Sequence, residues 1–241
     1  MKAIAIIPAR LQSTRLPRKM LRSIAGKPLV GWVYEAVRSA PNLADVIVAT
    51  DAAEIFDVCR QNDWHARMTS PSHRSGTERV HEVAESISAD VYINVQGDEP
   101  LIRPEHISVL LRLMEDSRAE VGTLKTAAAD VDVNNPNAVK VVTDLSGRAL
   151  YFSRAAIPVD RDAQGHARYW KHLGIYGYGK PALDRFVHLP ESELERAERL
   201  EQLRFLENGT SIYVAETPYD TVGVDTEEDF RRVERLVAKQ R

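Results

Sequence analysis

Cysteine is almost absent from this 241-residue chain, which holds only Cys59. A single thiol excludes an internal disulfide framework and a cysteine-based zinc cluster, and it suits a reducing compartment. Cys59 lies among Ile55, Phe56 and Val58 in a stretch with helical character, so it reads as a buried structural thiol with no chemistry of its own. Long apolar runs are missing as well. Residues 3–7 are too short for a signal-peptide core and run into Pro8-Ala9-Arg10, and no later segment has the length that spans a bilayer. The expectation is a cytoplasmic protein without a membrane partner. With a net charge of -3, a pI near 6.2 and no interleaved aromatic-basic platform, the composition also argues against nucleic acid. The most local absence is of acid: Lys2, Arg10, Arg15, Arg18, Lys19, Arg22 and Lys27 precede the first carboxylate, Glu35. That asymmetry calls for an anion.

What is present is ordinary globular material, 44% hydrophobic and 28% charged, in a length that suits one domain. Apolar runs alternate with helical periodicity. Residues 2–9 read as a strand, a helix starts near Pro28 with Leu29, Val33, Ala36 and Val37 on one face, and residues 46–49 form a second run. Residues 55–60 look helical, Val80, Val83, Ala84 and Ile87 mark another helix, and residues 91–95 form a third run. This alternation predicts βαβ units and an α/β, doubly wound, mostly parallel sheet of Rossmann-like type. Further strands are expected within 139–152 and 172–179, with helices near 181–188 and 199–207. Phe230, Val233, Leu236 and Val237 give the last helix an apolar face expected to pack on the sheet. No repeat or linker interrupts the chain.

Ligands of such sheets bind beyond the carboxyl ends of the strands, so the loops there carry the functional expectation. The first, PARLQSTRLPRK at residues 8–19, lacks the glycines of a Walker A loop or a GxGxxG turn, and side chains must therefore supply the charge. Arginine grips phosphate oxygens with two parallel hydrogen bonds and lysine acts as a movable point charge, so Arg10, Arg15 and Lys19 suit a triphosphate. The competing reading is a solvated basic loop with scattered ion pairs. Position favours function, because the five cations from Arg10 to Arg22 have no acid among them and would repel one another unliganded.

The segment resembles the fingerprint loop of nucleotidyltransferases that activate acidic sugars. RSGTERV at 74–80, NVQGDEP at 94–100, NPNAVKVV at 135–142, YFSRAAIP at 151–158, KHLGIYGY at 171–178, LEQLR at 200–204 and GVDTEED at 223–229 are together similar to the bacterial CMP-Kdo synthetases. Residues 160–170 resemble the family only loosely. The resemblance implies a nucleotide-diphospho-sugar transferase fold in one domain over 1–241, with about 130–210 contributing a small sugar-binding and dimerisation lobe. It implies transfer of CMP from CTP to the anomeric hydroxyl of the acidic sugar Kdo with release of pyrophosphate, for lipopolysaccharide biosynthesis, by a homodimer.

Mg²⁺ takes oxygen ligands, usually one or two protein carboxylates completed by phosphate oxygens and water, and Asp98 and Asp225 are the candidate ligands. Asp98 also sits in a turn sequence, and the two roles are compatible. Asp225 could instead cap the final helix, but Thr226 through Asp229 has capping-box spacing, which leaves Asp225 free. The expected catalytic set is Arg10, Lys19, Asp98 and Asp225. By resemblance, Ala9, Arg74, Ser75 and Gly76 border cytosine and ribose, although Ser75 or Thr77 could equally be an N-cap. Arg154, His172, Tyr176, Glu201 and Gln202 occupy sugar-gripping positions, with Gln96 between nucleotide and sugar. Tyr176 could also be a half-buried strand aromatic, and Glu201 could simply pair with Arg204. His172 reads as a binding residue, because a metal beside the anomeric hydroxyl removes the need for a protein base. The other histidines show no metal-ligand spacing. Rival readings are a cytidylyltransferase for 8-amino-Kdo or a nonulosonate, and a catalytically silent nucleotide-binding module.

Overall fold

The computed structural model describes residues 1–11, 15–116, 119–162 and 164–238, so residues 12–14 in the basic loop lie outside the described part. The chain forms two compact units: Met1–Ser108 with the segment from Asp220 onward, and Val109–Tyr219.

The first unit opens with β1 (Ala3–Ala9), buried at every position. A 3-10 turn at Lys19–Leu21 then leads into a two-stranded antiparallel ribbon, β2 (Ser23–Ile24) with β3 (Lys27–Pro28). The helix α1 (Leu29–Arg38) buries Leu29, Val30, Val33, Tyr34 and Val37, the face its periodicity predicts. After it come β4 (Asp45–Thr50), α2 (Ala53–Gln61), β5 (Ala66–Met68), α3 (Gly76–Ser86) and β6 (Val91–Asn94). Apart from that ribbon, the strands pair in parallel, in the order β5-β4-β1-β6. Parallel neighbours need a crossover, and α1, α2 and α3 each provide one. Burying each Ile or Val of β1 and β4 stabilises the unit by roughly 1.5–3 kcal/mol. The chain winds from β1 outward through β4 and β5, then returns to the other side of β1 as β6. The carboxyl ends of β1 and β6 therefore flank a topological switch point, the usual place for a ligand crevice in such sheets.

The division between units falls inside α4 (Pro104–Met114). The second unit contains β7 (Val121–Ala127), α5 (Asp130–Val133), β8 (Lys140–Thr143), β9 (Ala149–Ser153) and β10 (Trp170–Gly179). It continues with α6 (Lys180–His188), α7 (Glu193–Glu198), α8 (Leu203–Glu207) and β11 (Ile212–Glu216). Here β11 is parallel to β7, whereas β7–β10, β10–β8 and β8–β9 are antiparallel. The expected extended stretch at 139–152 is thus a hairpin, β8–β9, turning at Asp144, whose carboxylate accepts the backbone N–H groups of Ser146 and Arg148 at 2.9 Å. The expected helix at 199–207 is broken. Arg199 adopts a left-handed conformation with φ 53° and ends α7, so Glu201 and Gln202 lie in the link before α8.

The chain then rejoins the first unit and ends its described part in α9 (Glu227–Ala238). Its buried Phe230, Val233 and Val237 form a cluster with Leu16, Ile24, Leu29 and Val224. The expectation of packing on the sheet is corrected: the apolar face meets the basic loop, the ribbon and α1. The physical reason is that Leu16 and Ile24 are apolar residues within a highly charged segment and need a partner surface.

Candidate active site

The cationic loop and two distant aspartates meet. Lys19 Nζ donates to Asp98 Oδ2 at 2.6 Å and to Asp225 Oδ1 at 3.0 Å, partners 79 and 206 residues away. Arg15 Nη2 lies 2.9 Å from the other Asp225 oxygen. The Lys19 side chain is 8% exposed, while Asp98 and Asp225 keep 25% and 49% of their side-chain surface open. Burial works against the Lys19 charge, but Asp98 and then Asp225 outweigh it and raise its pKa.

Local structure explains the convergence. Asp98 sits on the turn after β6, where Glu99 N–H donates to the Gln96 carbonyl at 3.2 Å. A Cβ on Gly97 would stand 2.9 Å from the Pro8 carbonyl oxygen and 3.2 Å from Met20 Sδ, so only glycine lets this turn approach the end of β1. The Val224 N–H donates to the Asp98 carbonyl at 2.9 Å, tying together the backbones beside the two carboxylates. Thr226 Oγ1 accepts the Asp229 N–H at 3.2 Å, and Asp229 Oδ2 accepts the Thr226 N–H at 2.9 Å. This reciprocal cap leaves the Asp225 side chain to the cations, as the spacing predicts.

Two other loop cations, Arg18 and Arg22, have partners that linear reading could not supply. Arg18 pairs with Glu54, and Arg22 pairs with Glu227 while its guanidinium lies 4.0 Å above the Phe230 ring. The repulsion inferred for an unliganded loop is therefore corrected: Glu54, Asp98, Asp225 and Glu227 supply the counter-charge from elsewhere in the sequence. Arg10 is exposed, directly beyond the buried Ala9 at the end of β1.

Ser75 caps α3, its hydroxyl accepting the Glu78 N–H at 3.2 Å. Arg74 presents a side chain 92% exposed while its backbone N–H donates to Glu78 Oε2 at 2.7 Å. Gly76 begins the helix, where a Cβ would make only ordinary contact with Pro8. Gln96 is half-buried on the Asp98 turn. Sequence reading assigned no role to the side chains beneath this loop, Asp51, Arg79 and Glu82. Arg79 is buried, and its Nη2 donates to Asp51 Oδ2 at 3.0 Å. A basic residue on the face of α3 that also carries Val80, Val83 and Ala84 was the available signal.

The residues read as sugar-gripping all lie in the second unit, apart from Gln96. Arg154 spends its guanidinium on three carbonyls, those of Glu198 at 2.7 Å, Pro136 at 2.8 Å and Arg199 at 3.2 Å. The last of these holds the break between α7 and α8. Lys140, which is fully buried, donates to the carbonyls of Asn135, Ala138 and Arg154. His172 is buried beside an irregularity in β10, with Nε2 3.0 Å from Thr123 Oγ1 and its ring against Phe152 and Tyr176. Burial pushes its pKa down to about 3, so the imidazole is neutral and can accept or donate a hydrogen bond but offers no cation. Tyr176 is buried and stacks on Tyr178. Arg204 forks onto Glu195 at 2.6 and 2.7 Å. Gln202 is buried and Glu201 half-buried.

Among the described residues no group of three or more His, Cys, Asp or Glu gathers around a point that could hold a metal. Two carboxylates held on one ammonium nevertheless form a hard, oxygen-only donor set, which fits Mg²⁺ completed by phosphate oxygens and water. Cys59 is buried and burial raises its thiol to about 11, which leaves it inert. A separate cavity of about 660 Å³ is lined by Trp32, Glu35 and neighbouring residues; Lys19, Asp98 and Asp225 are not among its walls.

Comparison with known proteins gives the family. The cytidylyltransferase family profile matches residues 4–212. The chain is 66% identical over 236 residues to the 3-deoxy-manno-octulosonate cytidylyltransferase of Koribacter versatilis, covering 98% of this chain and 90% of that protein. It is 54% identical to the enzyme of the same name from Acidobacterium capsulatum, covering 100% and 98%. A solved structure of CMP:2-keto-3-deoxy-manno-octonic acid synthetase complexed with CTP matches with a TM-score of 0.96 at 43% identity over 100% of each chain. The chain belongs to the cytidylyltransferase family, among the 3-deoxy-manno-octulosonate cytidylyltransferases.

Proposed function

We propose that the protein transfers CMP from CTP to the anomeric hydroxyl of Kdo, forming CMP-Kdo and pyrophosphate. The observation that carries this reading is the Lys19 ammonium bridging Asp98 and Asp225 with Arg15 alongside, a cluster suited to a polyanion and its counter-ion. Arg10, Arg15 and Lys19 hold the triphosphate, and Ala9, Arg74, Ser75 and Gly76 border the base and ribose. The sugar oxygen attacks the α-phosphorus, a new P–O bond forms, and the bond to the α,β-bridging oxygen breaks as pyrophosphate leaves. Such a transfer needs alignment and absorption of charge more than covalent help from the protein. Asp98 and Asp225 would hold Mg²⁺, which when bound would neutralise phosphate charge and acidify the attacking hydroxyl. His172, being neutral and buried, serves the sugar by hydrogen bonding, together with Arg154, Tyr176, Glu201, Gln202 and Gln96.

The setting follows from the product. CMP-Kdo is an activated donor for lipopolysaccharide assembly, and the enzyme acts as a cytoplasmic homodimer in which residues from about 130 to 210 form the sugar-side and dimer lobe. No described helix is long and apolar enough to cross a membrane. The deciding assay is pyrophosphate release from CTP and Mg²⁺ with Kdo, 8-amino-Kdo and a nonulosonate in parallel. Preference for Kdo is expected. Preference for either other sugar overturns the substrate, and release with none of them leaves only nucleotide binding.

A further inference from the structure

The loop that carries Arg74, Ser75 and Gly76 has little regular structure of its own and is held from below by α3. Glu78 accepts the Arg74 N–H at 2.7 Å. Glu82, one turn further, accepts the Ser70 N–H at 2.8 Å and bonds His73. Burial would raise the Glu82 carboxyl, but Ser70, His73 and Arg79 outweigh it and hold it below its ordinary range. Between these two acids lies Arg79, 1% exposed. Its guanidinium bonds the Thr69 hydroxyl, approaches the Ser70 carbonyl at 3.4 Å and pairs with Asp51 at 3.0 Å. One buried cation thus joins the segments that follow β4 and β5 to the helix whose first turn receives the loop.

A buried ion pair is a poor way to gain stability, because desolvation offsets its attraction and apolar residues of similar volume often do as well. What it supplies is direction: a planar fork fixes several acceptors at once, which lysine does not. We propose that Arg79 is a positioning residue for CTP, setting the register of the 70–75 loop without touching the nucleotide. This rests on the reading that Arg74, Ser75 and Gly76 border CTP.

The test is CTP binding by titration calorimetry without sugar, alongside steady-state kinetics and melting temperature. Replacing the pair together, Arg79→Met with Asp51→Leu, removes both charges and leaves neither unpaired. The expected result is a folded protein that binds CTP about 10-fold more weakly and shows a matching rise in the CTP KM, with kcat and the Kdo KM within about twofold. Arg79→Lys should restore little of the loss. Thr69→Val, which removes one acceptor at nearly constant shape, should weaken CTP binding by about threefold; this variant decides the matter should the double replacement fail to fold. CTP affinity equal to wild type in any folded variant lacking the Arg79 fork overturns the inference. Arg74→Ala separates the two levels. Weakened CTP binding there but not in the Arg79 and Thr69 variants removes Arg79 alone, whereas no effect of Arg74→Ala removes the nucleotide placement and the inference with it.

Discussion

An ammonium lodged between two carboxylates can leave only when comparable positive charge replaces it. Lys19 therefore acts as an internal counter-ion for Asp98 and Asp225, and on the proposed reading it would turn to the triphosphate once Mg²⁺ takes its place. Mg²⁺ alone should barely change the melting temperature of the wild-type protein, and Mg²⁺ with CTP should raise it by several degrees. In Lys19→Met, Mg²⁺ alone should stabilise, because two like charges are then left facing each other; differential scanning fluorimetry reads both. Asp225→Asn should reduce turnover on the order of 100-fold or more while the melting temperature holds, since losing charge stabilisation at the α-phosphorus is worth several kcal/mol. Near-normal turnover would take Asp225 out of the metal role. His172 supplies a pH dependence whose sign follows from its depressed pKa. The unfolded chain binds a proton near pH 6.5 that the native imidazole refuses until about pH 3, so stability is full above 6.5 and falls as the solution is acidified. At pH 5 the loss amounts to about 2 kcal/mol. Urea midpoints measured from pH 7 to 5 should flatten in His172→Gln.

At the scale of elements, α9 and its cap hold Asp225 in place. Thr226→Ala removes the acceptor for the Asp229 N–H and should cost about 1 kcal/mol in chemical denaturation. The same change should lower kcat more than a capping residue elsewhere would, because it frees the backbone beside a carboxylate. Much of this level was readable in the residues. The faces of α1 and α9 and the runs of β1, β4 and β6 follow from periodicity, and Thr226-x-x-Asp229 announced its own cap. Other features were not readable. Arg199 in a left-handed conformation breaks a helix that apolar spacing alone would continue, and its carbonyl is held by Arg154 from 45 residues away. The seating of α9 against Leu16 and Ile24 is likewise a three-dimensional fact, since its hydrophobic stripe says that a partner exists without naming it.

At the scale of the molecule, the residue types that converge were legible and their pairing was not. Two aspartates and a basic loop could be nominated by motif and position. That each loop cation other than Arg10 would meet an acid, Arg15 and Lys19 at the site and Arg18 and Arg22 outside it, depends on folding that brings residues 54, 98, 225 and 227 to one segment. The cluster also shows why Asp225 and Lys19 belong to one compact unit although the whole of Val109–Tyr219 lies between them in sequence. Translation makes these partners far apart in time. Lys19 and Asp98 leave the ribosome as a pair that can already neutralise itself, and the second acid follows only after the entire intervening unit has been synthesised. A nascent chain that has not yet reached residue 225 is thus unable to assemble the complete acid pair.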